Sequence, residues 1–343
     1  MNHSQHLTLV TGGSGFVGNN LVRHLLSLNR RVRVLTNRAS RSLAGLEVDV
    51  IKGDLFDPQQ LERAIDGVEV IYHLAAVISI DRREDRSQMM RVNVDGTRRV
   101  VEAAIKQGVR RFVHLGSVHA MSYAPRHQPI DESRKLVHEA DRNALPYDLS
   151  KAAGQRIVIA AVERGLDAVI LNPVGVIGPN DFNPSAAGEM LLQLMSRRLP
   201  GLVRAGYYWI DSRDVAIAAV AAESRGKTGE NYILKGEYAS FSLIADYVFQ
   251  ETGAKPPKIE VPVWVARGAA PLIVWLSQFT GERPLVTPES IEIITRHQRI
   301  ETDKAEKELG FQHRPLQTTI ADTIAWFQKH RMTTAPRQPH AHN

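Results

Sequence analysis

The chain has 343 residues, 43 Lys and Arg against 37 Asp and Glu, a formal net charge of +6 and no cysteine. Without cysteine there is no disulfide, no thiolate nucleophile and no Cys-ligated zinc or iron–sulfur centre, and no metal site is expected. The basic residues are scattered, densest at Arg30-Arg31-Val32-Arg33 and Arg82-Arg83, so the charge reads as a mild bias toward anionic ligands and not as a nucleic-acid surface.

The first apolar run (Leu7, Leu9, Val10) leads into Thr11-Gly12-Gly13-Ser14-Gly15-Phe16-Val17-Gly18 and then an amphipathic segment, Phe16–Leu28. That order predicts strand, glycine turn and helix. Gly12, Gly15 and Gly18 permit a tight turn, close approach of a pyrophosphate and close helix–strand packing, with the helix N-terminus facing the phosphates. A plain strand–helix connection without ligand is the alternative.

Further strands are expected at Val32–Thr36, Val48–Lys52, Val68–His73, Phe112–Gly116 and Ala168–Asn172. Helices are expected between them at Pro58–Ile65, Gln88–Gln107 and Tyr147–Arg164, with Asp57-Pro58 as an N-cap followed by proline at the first helical position. Such alternation predicts an α/β, Rossmann-type doubly wound parallel sheet. A dinucleotide-binding domain is expected over 1–175, with segments near 203–235 returning to it. A smaller, mixed substrate-binding domain is expected over 176–330, and a frayed tail over 331–343.

Past residue 175 the predicted elements are helices near Ala187–Arg197, Val215–Glu223 and Phe241–Thr252, and a strand at Asn231–Leu234. A charged helix at Asp303–Leu309 ends at Gly310, and a last helix runs Thr318–His330. The longest apolar segment, Val261–Leu276, is short for a membrane span and carries Arg267. It suits helix packing, an apolar pocket or a membrane surface. The N-terminus has no basic leader, so a cytoplasmic protein is expected.

Tyr147-Asp148-Leu149-Ser150-Lys151 places a phenol and an ammonium on one helical face. A free phenol has a pKa of about 10, too high for easy acid–base work at neutral pH. An ammonium ~4 Å away contributes about 4 kcal/mol at an effective dielectric of about 20, before desolvation costs. Ser117 follows the strand Phe112–Gly116, so both residues are expected at the carboxyl end of a parallel sheet, where ligands bind. His119, two residues on, is either a further acid/base or a pocket-wall residue.

With these motifs in order, the chain resembles the extended short-chain dehydrogenase/reductases, the superfamily of nucleotide-sugar epimerases, dehydratases and dihydroflavonol reductases. Supporting elements are Gly53-Asp54-Leu55, His73-Leu74-Ala75-Ala76, Asn93-Val94-Asp95-Gly96-Thr97, Leu115-Gly116-Ser117, Asn172-Pro173 and Arg213-Asp214-Val215-Ala216. The resemblance implies that Ser117, Tyr147 and Lys151 form a catalytic triad, with Lys151 also bonding the nicotinamide ribose. It implies cofactor contacts from Gly12, Ser14, Gly15, Phe16, Val17 and Gly18, and from Asp54 and Leu55 at the adenine. Leu74, Ala75 and Ala76 would pass the ribose and phosphates, and Asn93 would buttress the site. Pro173, Val174 and Val176 would flank the nicotinamide. Homodimerisation through Gln88–Gln107 and Tyr147–Arg164 is also implied.

The second strand ends at Thr36-Asn37-Arg38 without a carboxylate, which points to NADP with Arg38 clamping the extra phosphate and Asn37 among the cofactor contacts; NAD is the alternative. Where sugar-nucleotide enzymes of this superfamily commonly carry an arginine for the diphosphate, this chain has Tyr207 in Gly206-Tyr207-Tyr208-Trp209. Tyr207 and Trp209 suit a flat or apolar substrate. Asn172-Pro173-Val174 is similar to the reductase branch, near dihydroflavonol-reductase-like, hydroxysteroid-dehydrogenase-like and hopanoid-associated epimerase-like proteins. The expected activity is hydride transfer between nicotinamide and a ketone or secondary alcohol of a small molecule. A nucleotide-sugar epimerase or dehydratase that recycles NAD(P), and a non-catalytic NADP-binding sensor, are the competing readings.

Overall fold

A computed structural model describes residues 6–37, 40–78, 86–125, 127–141, 144–280, 284–296 and 299–332. Seven strands form the central sheet: β1 (Leu7–Thr11), β2 (Arg31–Thr36), β3 (Asp49–Lys52), β4 (Val68–His73), β5 (Arg111–Leu115), β6 (Ala168–Pro173) and β10 (Asn231–Leu234). Their order is β10-β6-β5-β4-β1-β2-β3, and every pairing is parallel. The inner strands are apolar on both faces, because helices cover both sides. On one side lie α1 (Phe16–Ser27) and α7 (Ser212–Arg225); on the other are α2 (Pro58–Ile65), α4 (Thr97–Lys106) and α5 (Pro146–Glu163). Direction reverses between β1 and β4, so the carboxyl ends of these two strands flank the crevice where an open α/β sheet receives its ligand.

Local chemistry sets the element ends. Asp57 accepts from the N–H groups of Gln59 and Gln60 (3.0 and 3.1 Å), capping α2 with Pro58 in its first turn. Gly310 adopts φ 69° and closes the turn Ala305–Leu309, as its expected position after that segment requires.

The predicted helix Gln88–Gln107 is interrupted. Its parts are α3 (Arg86–Met90), a π-helical stretch Arg91–Gly96, and α4. Apolar periodicity does not reveal such a widening, which frequently marks functional sites. Here it brings the Asn93 carbonyl so near α5 that a Cβ on Gly154 would lie 2.7 Å from it.

A second layer holds β7 (Gly175–Ile177), β9 (Gly206–Asp211) and β11 (Glu237–Ser240) in the order β11-β9-β7, beside a two-stranded pair of β8 (Leu202–Val203) and β12 (Glu260–Val261). It packs with α6 (Ala186–Met195), α8 (Phe241–Thr252) and α11 (Leu316–Lys329) around a separate apolar cluster. The apolar segment 261–276 lies largely in α9 (Val263–Thr280), followed by α10 (Pro288–Arg296), which the sequence reading does not contain. No described helix is long and apolar enough to cross a membrane. The expected tail lies, beyond Met332, outside the described residues.

Candidate active site

The glycine turn is built for close approach. Gly12 has φ 73°, and a Cβ there would lie 2.6 Å from the Ala75 nitrogen; one on Gly18 would lie 2.1 Å from the Gly12 carbonyl oxygen. Gly15 is the N-cap of α1 and supplies no capping side chain, and the first turn of α1 carries no acidic residue. The leading N–H groups of α1 are therefore offered to an anion, in the field of the helix. Ser14 sits beside Thr36, the last residue of β2 (Oγ to Oγ1 3.3 Å). Asn37 is exposed, while Arg38 lies outside the described residues.

Asp54 is exposed and makes a local turn. Its Oδ1 accepts from Phe56 N–H (3.0 Å) and its own N–H donates to Gln60 Oε1 (2.8 Å). Leu55 is half-buried, its Cδ1 3.5 Å from where a Gly96 Cβ would be. Leu74, Ala75 and Ala76 form a half-buried segment after β4, and the Thr11 carbonyl accepts from Leu74 N–H (3.1 Å). Asn93 fixes this segment to α5. Its Oδ1 accepts from Val77 N–H (2.7 Å), and its Nδ2 donates to the Val77 carbonyl (3.0 Å) and to Ser150 Oγ (3.0 Å).

Ser117, Tyr147 and Lys151 come together where β5 meets α5. The Ser117 hydroxyl faces the phenol of Tyr147 and favours its ionised form, and Lys151 Nζ donates to the Leu115 carbonyl (2.8 Å). Ser117 is held by Asn172 on β6, whose Oδ1 accepts from Ser117 N–H (2.9 Å). A Cβ on Gly116 would meet that same oxygen at 2.2 Å, so the glycine makes the contact possible. His119 N–H donates to Ser117 Oγ (3.2 Å), leaving the hydroxyl proton for the phenol or a substrate oxygen.

Electrostatics here differ from the expectation. Burial pushes the Tyr147 phenol up to about 12; the Ser117 hydrogen bond pulls it down and the Asp148 carboxylate pushes it up. Burial also lowers the Lys151 ammonium to about 8. Burial is the largest influence on the phenol, and the Lys151 ammonium donates to the Leu115 carbonyl. Beneath it, His73 and His114 stack at 5.5 Å, and burial together with Lys151 drives both imidazoles down, His73 to about 3.

Beside the triad, His119 Nε2 lies 3.1 Å from the Tyr207 hydroxyl, and its ring stands edge-on to Tyr147 at 5.7 Å. Its Nδ1 faces Asp148, which also accepts from Leu145 N–H (2.9 Å) and from buried Arg296 on α10 (2.9 Å). Tyr207 fits over β7 because Gly175 has no side chain; a Cβ there would lie 2.8 Å from the ring. Trp209 lies in the second apolar cluster with Tyr207, edge-on to Tyr207 and Phe241. Pro173 and Val174 are buried at the end of β6, and half-buried Val176 pairs with Ile210.

The sequence predicts no role for Asn172, Asp148 or Arg296. Asp148 is adjacent to Tyr147 and at the third position of a proline-started helix, a visible cue for a helix-capping carboxylate. Arg296 offers no such cue, since 148 positions separate it from its partner. Among the described residues no cluster of metal-binding side chains is present.

The chain is 33% identical over 329 residues to sterol demethylase protein B of Methylococcus capsulatus, covering 95% of this chain and 99% of that protein. It is 36% identical over 331 residues to a Synechocystis protein provisionally named dihydroflavonol 4-reductase, covering 94% of each. Among solved structures, gox2253 superposes with a TM-score of 0.81 at 34% identity, covering 96% of this chain and 99% of that one. The dTDP-glucose 4,6-dehydratase DesIV of Streptomyces venezuelae, solved with NAD, shares the fold at TM-score 0.75 and 24% identity, covering 95% and 98%. The profile of the NAD dependent epimerase/dehydratase family matches residues 8–234. With its Rossmann sheet, glycine turn and Ser117–Tyr147–Lys151 site, this chain belongs to the NAD dependent epimerase/dehydratase family.

Proposed function

We propose that the protein is an NADP(H)-dependent oxidoreductase that interconverts a ketone and a secondary alcohol on a small, flat or apolar substrate. The observation that carries this reading is the meeting of Ser117, Tyr147 and Lys151 at the carboxyl end of β5. The glycine turn fits a dinucleotide, since the Gly12 and Gly18 positions are backbone-lined and the α1 N-terminus bears neither a side-chain cap nor an acid. Gly12, Gly15 and Gly18 with the N–H groups of Phe16 and Val17 would hold the pyrophosphate. Ser14 and Asn37 would lie at the adenosine ribose, and Lys151 at the nicotinamide ribose. When bound, the nicotinamide supplies or takes the hydride.

In the reducing direction Ser117 Oγ donates to the substrate carbonyl oxygen and orients it. Tyr147 donates its phenolic proton to that oxygen as it gains electron density. Lys151 stabilises the resulting phenolate once its ammonium is drawn from the Leu115 carbonyl toward the ribose and phenol. Oxidation runs the same transfers backwards. The preference for NADP is supported by β2, which ends at Thr36-Asn37 without a carboxylate. The aromatic wall of Tyr207 against His119 supports a flat or apolar substrate. Pairing of two copies through α4 and α5 belongs to the same reading, and a monomer by light scattering counts against it.

The test is NADPH absorbance with the purified protein against a panel of steroid and flavonoid ketones and sugar nucleotides. Stoichiometric NADPH consumption with a ketone supports the reading. Conversion of a sugar nucleotide without net consumption replaces it with a recycled-cofactor epimerase or dehydratase. Cofactor binding with no turnover of any panel member replaces it with a sensor.

A further inference from the structure

The outward side of α9 is apolar where a surface helix is normally polar. Trp264, Leu272, Trp275, Leu276 and Phe279 are 76%, 58%, 53%, 48% and 72% exposed. Their spacing puts them on one stripe, with Gly268 and Pro271 between them, while Ala266 and Ala270 face inward. A contiguous apolar stripe of this kind, unlike scattered single apolar residues, marks a contact surface.

Charge selects the occupant. Between Val263 and Thr280 there is no carboxylate, and Arg267 is the one charged side chain. The chain leads into the helix through Lys255 and Lys258, both exposed. The carboxylates on neighbouring elements are engaged. Glu292 of α10 faces Arg267 (3.6 Å) and Arg296 (2.9 Å), Glu289 is buried, and Glu260 of β12 faces Arg204 (3.4 Å). A second copy seated on the stripe brings the same arginine and no helix carboxylate to meet it. An anionic lipid surface supplies both the apolar phase for Trp, Leu and Phe and the negative charge for Lys255 and Lys258.

We propose that α9 lies in the headgroup region of a membrane with anionic lipid, its Trp264–Phe279 stripe inserted and the rest of the protein above it. The helix lies on the bilayer and does not cross it, in keeping with its length and hydropathy.

The test is co-sedimentation of the full-length protein with vesicles of phosphatidylcholine alone or mixed equally with phosphatidylglycerol. The expected result is at least about tenfold stronger binding to the mixed vesicles, lost in Trp264→Ser/Trp275→Ser/Phe279→Ser. In parallel, brominated acyl chains in the mixed vesicles should quench tryptophan fluorescence of the unmodified protein, a readout independent of how the variant folds. No binding to the mixed vesicles, or binding without quenching, overturns the proposal. So does a concentration-dependent dimer that the triple variant abolishes without any vesicle binding, which would assign the stripe to a second copy.

Discussion

His119 Nδ1 stands 3.3 Å from Asp148 Oδ1, placing an imidazole between a buried carboxylate and the hydroxyl of Tyr207. Asp148 and Tyr207 thereby set the orientation of a ring that lies against Tyr147 and whose backbone holds Ser117. His119→Gln should lower turnover by about tenfold, less than the ~100-fold or more expected for removal of a direct proton-transfer group. NADP(H) affinity should stay unchanged. Steady-state kinetics with a cofactor titration checks this, and an unchanged kcat would reduce His119 to a wall residue.

The ion pair between Asp148 and Arg296 is buried on both sides, each side chain 1% exposed. Arg296 also covers the Tyr123 ring at 4.4 Å. Arg296→Leu should cost about 3–5 kcal/mol, because it leaves a buried carboxylate beside Tyr147 without its cation. Asp148→Leu/Arg296→Leu should recover much of that loss. Urea melts of the single and double variants decide it; additive losses would contradict the pairing.

Lys151 is held at about 8 against an ordinary 10.5. The folded state therefore binds fewer protons than the unfolded state between these values, so this group's contribution to stability rises with pH across that window. The cost of burying the ammonium, about 3 kcal/mol, applies in full below pH ~8 and is relieved toward pH ~10.5. Lys151→Met should be more stable than the parent at neutral pH, the gap narrowing by pH ~10. Thermal melts across this range measure the gap; one independent of pH would contradict the assignment.

Gly15 and Gly18 separate binding from folding. A methyl on Gly18 meets the Gly12 carbonyl oxygen at 2.1 Å, whereas on Gly15 the nearest atom is that same oxygen at 3.2 Å. Gly18→Ala should cost about 1–3 kcal/mol as backbone is pushed aside. Gly15→Ala should leave stability closer to the parent and weaken NADPH binding. Melts and NADPH fluorescence titrations compare the two.

The Rossmann half was legible because its signals are local. Strands β1, β2, β4, β5 and β6 announce themselves as short apolar runs, and Gly12, Gly18 and Asp57-Pro58 each have one steric or capping reason to be there. The second layer was less legible. Strands of two to four residues such as β7, β8, β11 and β12 are too short for a period to show, and α10 follows a proline-punctuated stretch. Of the site, Ser117, Tyr147 and Lys151 could be read from order and spacing. The support given by Asn172, Asp148 and Arg296 depends on contacts 55 to 148 positions apart, which no local pattern encodes. Tyr207 and Trp209, two residues apart on β9, lie on one face of the strand, and both belong to the second apolar cluster; only their depth relative to His119 separates them, which composition does not encode.

The most direct measurement is turnover and NADPH affinity of Tyr147→Phe beside the parent protein. The variant loses only the phenolic hydroxyl, so the ring packing against His119 remains. The account predicts that NADPH binds with near-parent affinity while ketone reduction falls by at least ~100-fold. Turnover within a few-fold of the parent would contradict it.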